Sequence, residues 1–101
     1  MEKIAIIGLG YVGLPLARLF ATRYPVIGYD INQARVTQLM SGHDATLEVE
    51  DETLQQVLVQ QPPNPQSPPT PGLFCTTDLA DIQHCTFYII TVPTPIDKNN
   101  R

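Results

Sequence analysis

The chain has 101 residues, 43% hydrophobic and 16% charged, with a net charge of −4. That length allows one domain at most, with a modest core, and the composition is globular rather than disordered. The acidic balance provides no electrostatic footprint for DNA or RNA, so nucleic acid is excluded as a partner.

Ile4 to Ile7 is an apolar run without a polar face, as expected of a parallel strand covered on both sides. Three glycines follow at 8, 10 and 13. Their spacing predicts a tight turn out of the strand at Gly8 and a backbone open to a pyrophosphate at Gly10. At Gly13 it predicts a helix lying close to the sheet. That helix would aim its N-terminal N–H groups and partial positive charge at phosphate. Ile4 to Ala17 follows Lys3 and could pass for a signal-peptide core, but the glycines and Pro15 suit that badly, and the run is too short and interrupted to span a membrane. A cytoplasmic protein without membrane contact is expected.

Within the helix, Val12, Leu16, Leu19 and Phe20 recur at helical spacing and predict the stripe that faces the sheet. Pro15 is tolerated in the first turn, and Arg18 and Arg23 lie toward the solvated side and the C-terminal end. Pro25 restarts the chain as a second strand, Val26 to Tyr29, which ends on Asp30. An acidic residue there, about 20 residues beyond the glycines, accepts from the ribose hydroxyls of a dinucleotide and repels a 2′-phosphate, which favours NAD over NADP. The bland alternative is a buried strand-turn-helix with a solvent-facing aspartate. Strand, glycines, helix and acid all occur in the required order, and this weighs against it.

Asn32 is the expected N-cap of a second helix, with Val36, Leu39 and Met40 inward and Gly42 just past its end. Arg35, in its first turn, either lies along the adenosine or simply faces solvent. Residues 43–49 read as a loop. Glu50, Asp51 and Glu52 open a third helix whose apolar face is Leu54, Val57 and Leu58; helix-start electrostatics explain the acidic cluster better than a metal site does. Gln61 to Gly72 holds six of the ten prolines and reads as a surface loop, a weak match to a polyproline ligand.

Leu73 to Cys75 predicts a third strand, followed by a helical turn capped by Thr77 or Asp78 with Leu79 and Ile82 inward. Cys75 and Cys85 form no CxxC pair or zinc spacing and read as small buried hydrophobes. Phe87 to Val92 predicts a fourth strand, apolar on both faces and thus central. It leads into Pro93-Thr94-Pro95, at the strand end where doubly wound sheets bind ligands. After the last four residues, Lys98 to Arg101, a sheet of this kind ought to continue, so the chain is expected to be a fragment.

These pieces define an incomplete α/β Rossmann-type doubly wound parallel sheet of about four strands. The segments KIAIIGLGYVGLPLA at 3–17, VIGYDIN at 26–32, GHDATLEVED at 42–51 and FYIITVPTPID at 87–97 make the chain resemble the N-terminal, NAD-binding part of the UDP-glucose/GDP-mannose dehydrogenase family. Within that family it looks most like the branch acting on UDP-N-acetyl-hexosamines in bacterial polysaccharide synthesis. The resemblance implies that Gly8, Gly10, Tyr11, Val12 and Gly13 form the pyrophosphate turn, that Asp30 and Arg35 hold the adenosine ribose, and that Thr94 lies near the cofactor on its nicotinamide side. It further implies oxidation of a sugar C6 hydroxymethyl to a carboxylate in two NAD-dependent steps through a thiohemiacetal on a catalytic cysteine. That cysteine, its assisting residues and the nucleotide-sugar site belong to segments absent here, as do most of the family's dimer contacts. The fragment by itself is therefore expected to be inactive, and no catalytic or metal-binding role passes to Cys75 or Cys85. The proline-rich 61–72 departs from the short connection usual in the family. A free-standing NAD-sensing module and an FAD-binding domain are the competing readings.

Overall fold

A computed structural model describes residues 2–45, 48–62 and 70–91. Four strands, β1 (Ile4–Ile7), β2 (Pro25–Tyr29), β3 (Gly72–Thr76) and β4 (Phe87–Ile90), form one sheet. All its pairings are parallel, and the order is β3-β2-β1-β4. Ile4 stands beside Val26 on one side and Phe87 on the other, so β1 is central and its apolar residues are covered as its sequence requires. The strand order reverses between β1 and β4, and the glycine turn leaves β1 at that point. In open α/β sheets the crevice at the carboxyl ends of the strands beside such a reversal is where ligands bind.

Helices α1 (Gly13–Phe20), α2 (Gln33–Met40) and α3 (Asp51–Val57) bury the larger core with residues such as Leu14, Leu39 and Leu54, all fully enclosed. A smaller cluster of Ala5, Ile27, Ile82 and Cys85 occupies the other face, under the 3-10 turn Leu79–Ile82. Asn32 caps α2 by accepting the Arg35 N–H at 3.1 Å, and Gly42 at φ +91° ends it. Asp78 caps the 3-10 turn in the same way through the Ala80 N–H. After α3 the chain passes beside β3, where Val59 N–H donates to the Leu73 carbonyl at 2.9 Å. No described helix is long and apolar enough to cross a membrane.

Several expectations need correction. The buried face of α1 is Gly13, Leu14 and Ala17, continued by Ala21, whereas Val12 and Leu19 are 63% and 55% exposed. Leu16 and Phe20 do pack against the core, partly buried, as expected; the contact nearest the glycine turn falls to Gly13, where a Cβ has no room, with Leu14 filling the core beside it. Leu79 is exposed and Ile82 alone of that pair faces inward, because a turn this short presents one residue to the sheet. Gly72 is not loop but the first residue of β3, its N–H donating to the Tyr24 carbonyl. β4 is an edge strand among the described residues, not a central one, and Phe87, Tyr88 and Ile90 are largely exposed. An apolar composition shows that a strand tolerates burial; it does not supply the element that covers it. Val92 and the whole Pro93-Thr94-Pro95 turn lie outside the described residues, as does most of the proline-rich segment 61–72.

Candidate dinucleotide site

The site is built around the backbone of one residue, Leu9, whose N–H and carbonyl belong to the peptide units on either side of it. Gly8 N–H continues the β-ladder by donating to the Tyr29 carbonyl at 2.8 Å, and then its φ of +102° turns the chain sharply out of the sheet. The Leu9 side chain drops into the core against Gly28; a Cβ on Gly28 would come within 2.8 Å of it. With its side chain anchored, the Leu9 backbone is held from both sides. Its N–H donates to Asp30 Oδ2 at 2.9 Å, and its carbonyl accepts from Arg35 Nε at 2.9 Å.

Beyond Leu9 the turn opens. A Cβ at Gly10 would meet nothing within 4 Å, so the backbone is approachable there. Gly10 carbonyl accepts the first helical bond, from Leu14 N–H at 3.1 Å, and α1 begins without a side-chain cap and without an acidic residue in its first turn. The N–H groups of Gly10, Tyr11 and Val12 donate to no other described residue. An uncapped helix start with open N–H groups suits an anion, and phosphate fits it in charge and in hydrogen bonding. Gly13 lies against the turn: a Cβ there would fall 1.7 Å from the Gly8 carbonyl oxygen.

Asp30 stands at the end of β2, beneath this turn. Its carboxylate accepts from Leu9 and, through Oδ1, from Asn32 N–H at 2.9 Å, while its own N–H donates to the Thr76 carbonyl. A carboxylate has about four acceptor positions. Two are used by the backbone, which leaves capacity for a vicinal diol such as ribose. Arg35 is mostly buried, its side chain 12% exposed; Nη1 donates to Asp44 Oδ1 at 2.6 Å, and Nη2 is buried with no partner among the described residues. The structure thus brings Gly8, Gly10, Gly13, Asp30 and Arg35 together around Leu9. It leaves Tyr11 and Val12 exposed on the rim, and Thr94 lies outside the described residues.

Three contributors were not legible as site residues. Leu9 reads as one more apolar residue. Thr91, at the end of β4, donates through Oγ1 to the Gly8 carbonyl at 2.8 Å and ties that strand to the turn. Asp44, fully buried in what reads as a polar loop, accepts from Arg35 and from the N–H groups of Glu48 and Val49. The only sequence signal for it was an acid within a few turns of an otherwise unpaired arginine.

Neither cysteine is suited to nucleophilic work. Burial pushes the Cys75 thiol up to about 12, only partly opposed by the charge of Arg35, and burial likewise raises Cys85. Both stay protonated near neutral pH, and the thiolate is the reactive form.

The sequence profile of the UDP-glucose/GDP-mannose dehydrogenase family, NAD binding domain, matches residues 2–101. The chain belongs to this family. As its NAD-binding domain, it is 42% identical over 99 residues to the UDP-N-acetyl-D-glucosamine 6-dehydrogenase of Pseudomonas aeruginosa, covering 98% of this chain and 20% of that enzyme. The UDP-N-acetyl-D-glucosamine 6-dehydrogenase of Salmonella typhi is 44% identical over 95 residues, 94% of this chain and 19% of its own length. Among solved structures, a ternary complex of GDP-mannose dehydrogenase from Pseudomonas aeruginosa superposes with a TM-score of 0.72 at 31% identity, over 100% of this chain and 21% of that one. The chain therefore spans about a fifth of the length of these relatives. The parallel sheet with flanking helices and the NAD-binding assignment both agree with these likenesses.

Proposed function

We propose that this domain holds NAD for a nucleotide-sugar 6-dehydrogenase that oxidises the C6 alcohol of a UDP-N-acetyl-hexosamine or UDP-glucose type sugar to a carboxylate. The observation that carries the reading is the Leu9 backbone, its N–H held by Asp30 and its carbonyl by Arg35, beside an uncapped helix start. In this reading Gly8, Gly10, Tyr11, Val12 and Gly13 surround the pyrophosphate, Asp30 accepts from the adenosine ribose, and Arg35 braces the turn while offering Nη2 to the same end of the cofactor. Thr94 is assigned to the nicotinamide side. The bound cofactor supplies the hydride acceptor; the chain's own part is to bind and orient it. The protonated state of both thiols supports catalytic groups that come from the parts of the longer relatives to which this chain has no counterpart.

The same reading makes residues 1–101 a NAD-binding unit of a cytoplasmic, homo-oligomeric enzyme of polysaccharide synthesis, with the proline-rich 61–72 as a surface connector. The test is NADH formation followed at 340 nm with UDP-N-acetylglucosamine, UDP-N-acetylmannosamine and UDP-glucose. The 101-residue chain is expected to give no turnover, and a polypeptide carrying it in a relative's full length is expected to turn over one of the three. Turnover by the 101 residues themselves would put the chemistry inside this domain and overturn the proposal.

A further inference from the structure

Asp44 is distant from the glycine turn in sequence and is not exposed at all, yet its carboxylate is the junction of two networks. Oδ2 accepts from Glu48 N–H at 2.9 Å and Val49 N–H at 3.0 Å, which ties it to the segment that leads into α3. Oδ1 accepts from Arg35 Nη1 at 2.6 Å. Arg35 then passes the restraint on, because its Nε donates to the Leu9 carbonyl while Asp30 takes the Leu9 N–H. Asp44 is thus one residue removed from the peptide that sets the direction of the turn. The chain on either side of Asp44 is fixed independently: Ala45 N–H donates to Gln38 Oε1 at 2.8 Å, and Gln55 Nε2 donates to the Gly42 carbonyl at 3.2 Å.

An arginine side chain has several freely rotating bonds, and a guanidinium anchored at one nitrogen alone would sample many orientations. A buried carboxylate on Nη1 fixes the planar fork, and with it the direction of the Nε–H. We propose that Asp44 is a positioning residue for cofactor binding: through Arg35 it holds the Leu9 carbonyl, and so orients the Gly10 and Tyr11 N–H groups that face the phosphates. The proposal rests on the reading of the glycine turn as the NAD site. Asp44 is fully enclosed, so its influence on a bound cofactor runs through Arg35. A role confined to fold stability would change the melting temperature and leave the affinity of the folded protein alone, whereas a positioning role changes affinity while the protein stays folded.

The experiment is a calorimetric titration of NAD into the full chain and into Asp44→Asn, Arg35→Met, the double variant and Arg35→Lys, well below each variant's melting temperature. Asp44→Asn keeps the shape but weakens the hold on Arg35, and is expected to raise the NAD Kd about tenfold, the loss of a charged hydrogen bond. Because Asp44 acts through Arg35, the double variant is expected to bind no worse than Arg35→Met alone. Arg35→Lys leaves Asp44 a cationic partner but removes both the Nε donor to Leu9 and the Nη2 offered to the cofactor, so it is expected to bind NAD at least as weakly as Asp44→Asn; should Asp44→Asn fail to fold, Asp44→Ser takes its place with the same expected loss and the same overturning result. Folded Asp44→Asn binding NAD within about twofold of the unchanged chain would overturn the proposal, as would losses in the double variant that simply add. Failure of the unchanged chain to bind NAD at all would instead remove the site reading beneath it, and that failure is visible before any substitution is made.

Discussion

The carbonyl oxygen of Gly8 stands where a side chain on Gly13 would have to go, 1.7 Å from a Cβ at that position, with Thr91 Oγ1 only 2.6 Å from the same point. Backbone blocks the first of these contacts, so rotating a side chain cannot relieve it. The third glycine of the turn is therefore fixed by packing of α1 against the end of β1, and the first by its positive φ. Gly10 obeys neither constraint.

Substitutions at the two positions should accordingly separate stability from binding. Gly13→Ala is expected to destabilise the fold by about 1–3 kcal/mol or more, the range for forcing extra atoms into a packed site. Gly10→Ala meets open space, and its stability should stay within about 0.5 kcal/mol of the unchanged chain. Its cost should appear instead as weaker NAD binding, since the added methyl would stand in the space proposed for the pyrophosphate. Urea unfolding and NAD titration on both variants check the pair.

Asp30→Ala is expected to weaken NAD binding by about 1–3 kcal/mol, the range for losing hydrogen bonds to a charged group. The variant also releases the Leu9 and Asn32 N–H groups. Discrimination against NADP should fall with it, because the carboxylate that repels a 2′-phosphate is gone. Calorimetry with both cofactors measures the two effects; unchanged NAD affinity would show that Asp30 holds only the turn.

Cys75 adds a pH dependence at the alkaline end. Its thiol is raised by burial from 9.0 to about 12, so the folded chain keeps a proton that the unfolded chain releases. The stabilisation is fully present below pH 9 and is lost as pH rises from 9 toward 12, by at most about 1.4 kcal/mol per pH unit for one proton. Denaturation midpoints at pH 8 and pH 10 should converge more closely in Cys75→Ala than in the unchanged chain. A thiol reagent at pH 8 should leave Cys75 unmodified until the protein unfolds.

The 3-10 turn offers a test of packing. Ile82 is 5% exposed beneath it and Leu79 is 57% exposed. Ile82→Ala should cost about 2–4 kcal/mol, the usual range for truncating a buried aliphatic side chain, and Leu79→Ala less than about 0.5 kcal/mol. Equal costs would mean that the turn is seated differently.

The order of strands and helices was legible because each local signal agrees with its neighbours: a β-branched run before the glycines, Asn32 before α2, Gly42 after it, acids opening α3. Asp30 was legible as a candidate site residue because an acid after the second strand, beyond the three glycines, stands where a dinucleotide's ribose would be held. What the sequence concealed was depth. Val12 and Leu19 satisfy helical periodicity yet face solvent, since the helix seats Gly13, Leu14 and Ala17 deepest and only Leu16 and Phe20 of the expected stripe reach the core; a stripe of large apolar residues does not register a contact made by a glycine. Asp44 looked like loop polarity because its partner lies in another element. β4 looked central because burial was inferred from its residues alone. In each case the missing information is a contact between distant segments, which composition and spacing do not encode.

Titration calorimetry of the chain with NAD, NADP and FAD decides whether the glycine turn and Asp30 form a NAD site. Saturable one-to-one binding of NAD is expected, with NADP weaker by about tenfold or more from repulsion at Asp30 and no comparable binding of FAD. Binding of FAD with no response to NAD at millimolar concentration would contradict that assignment.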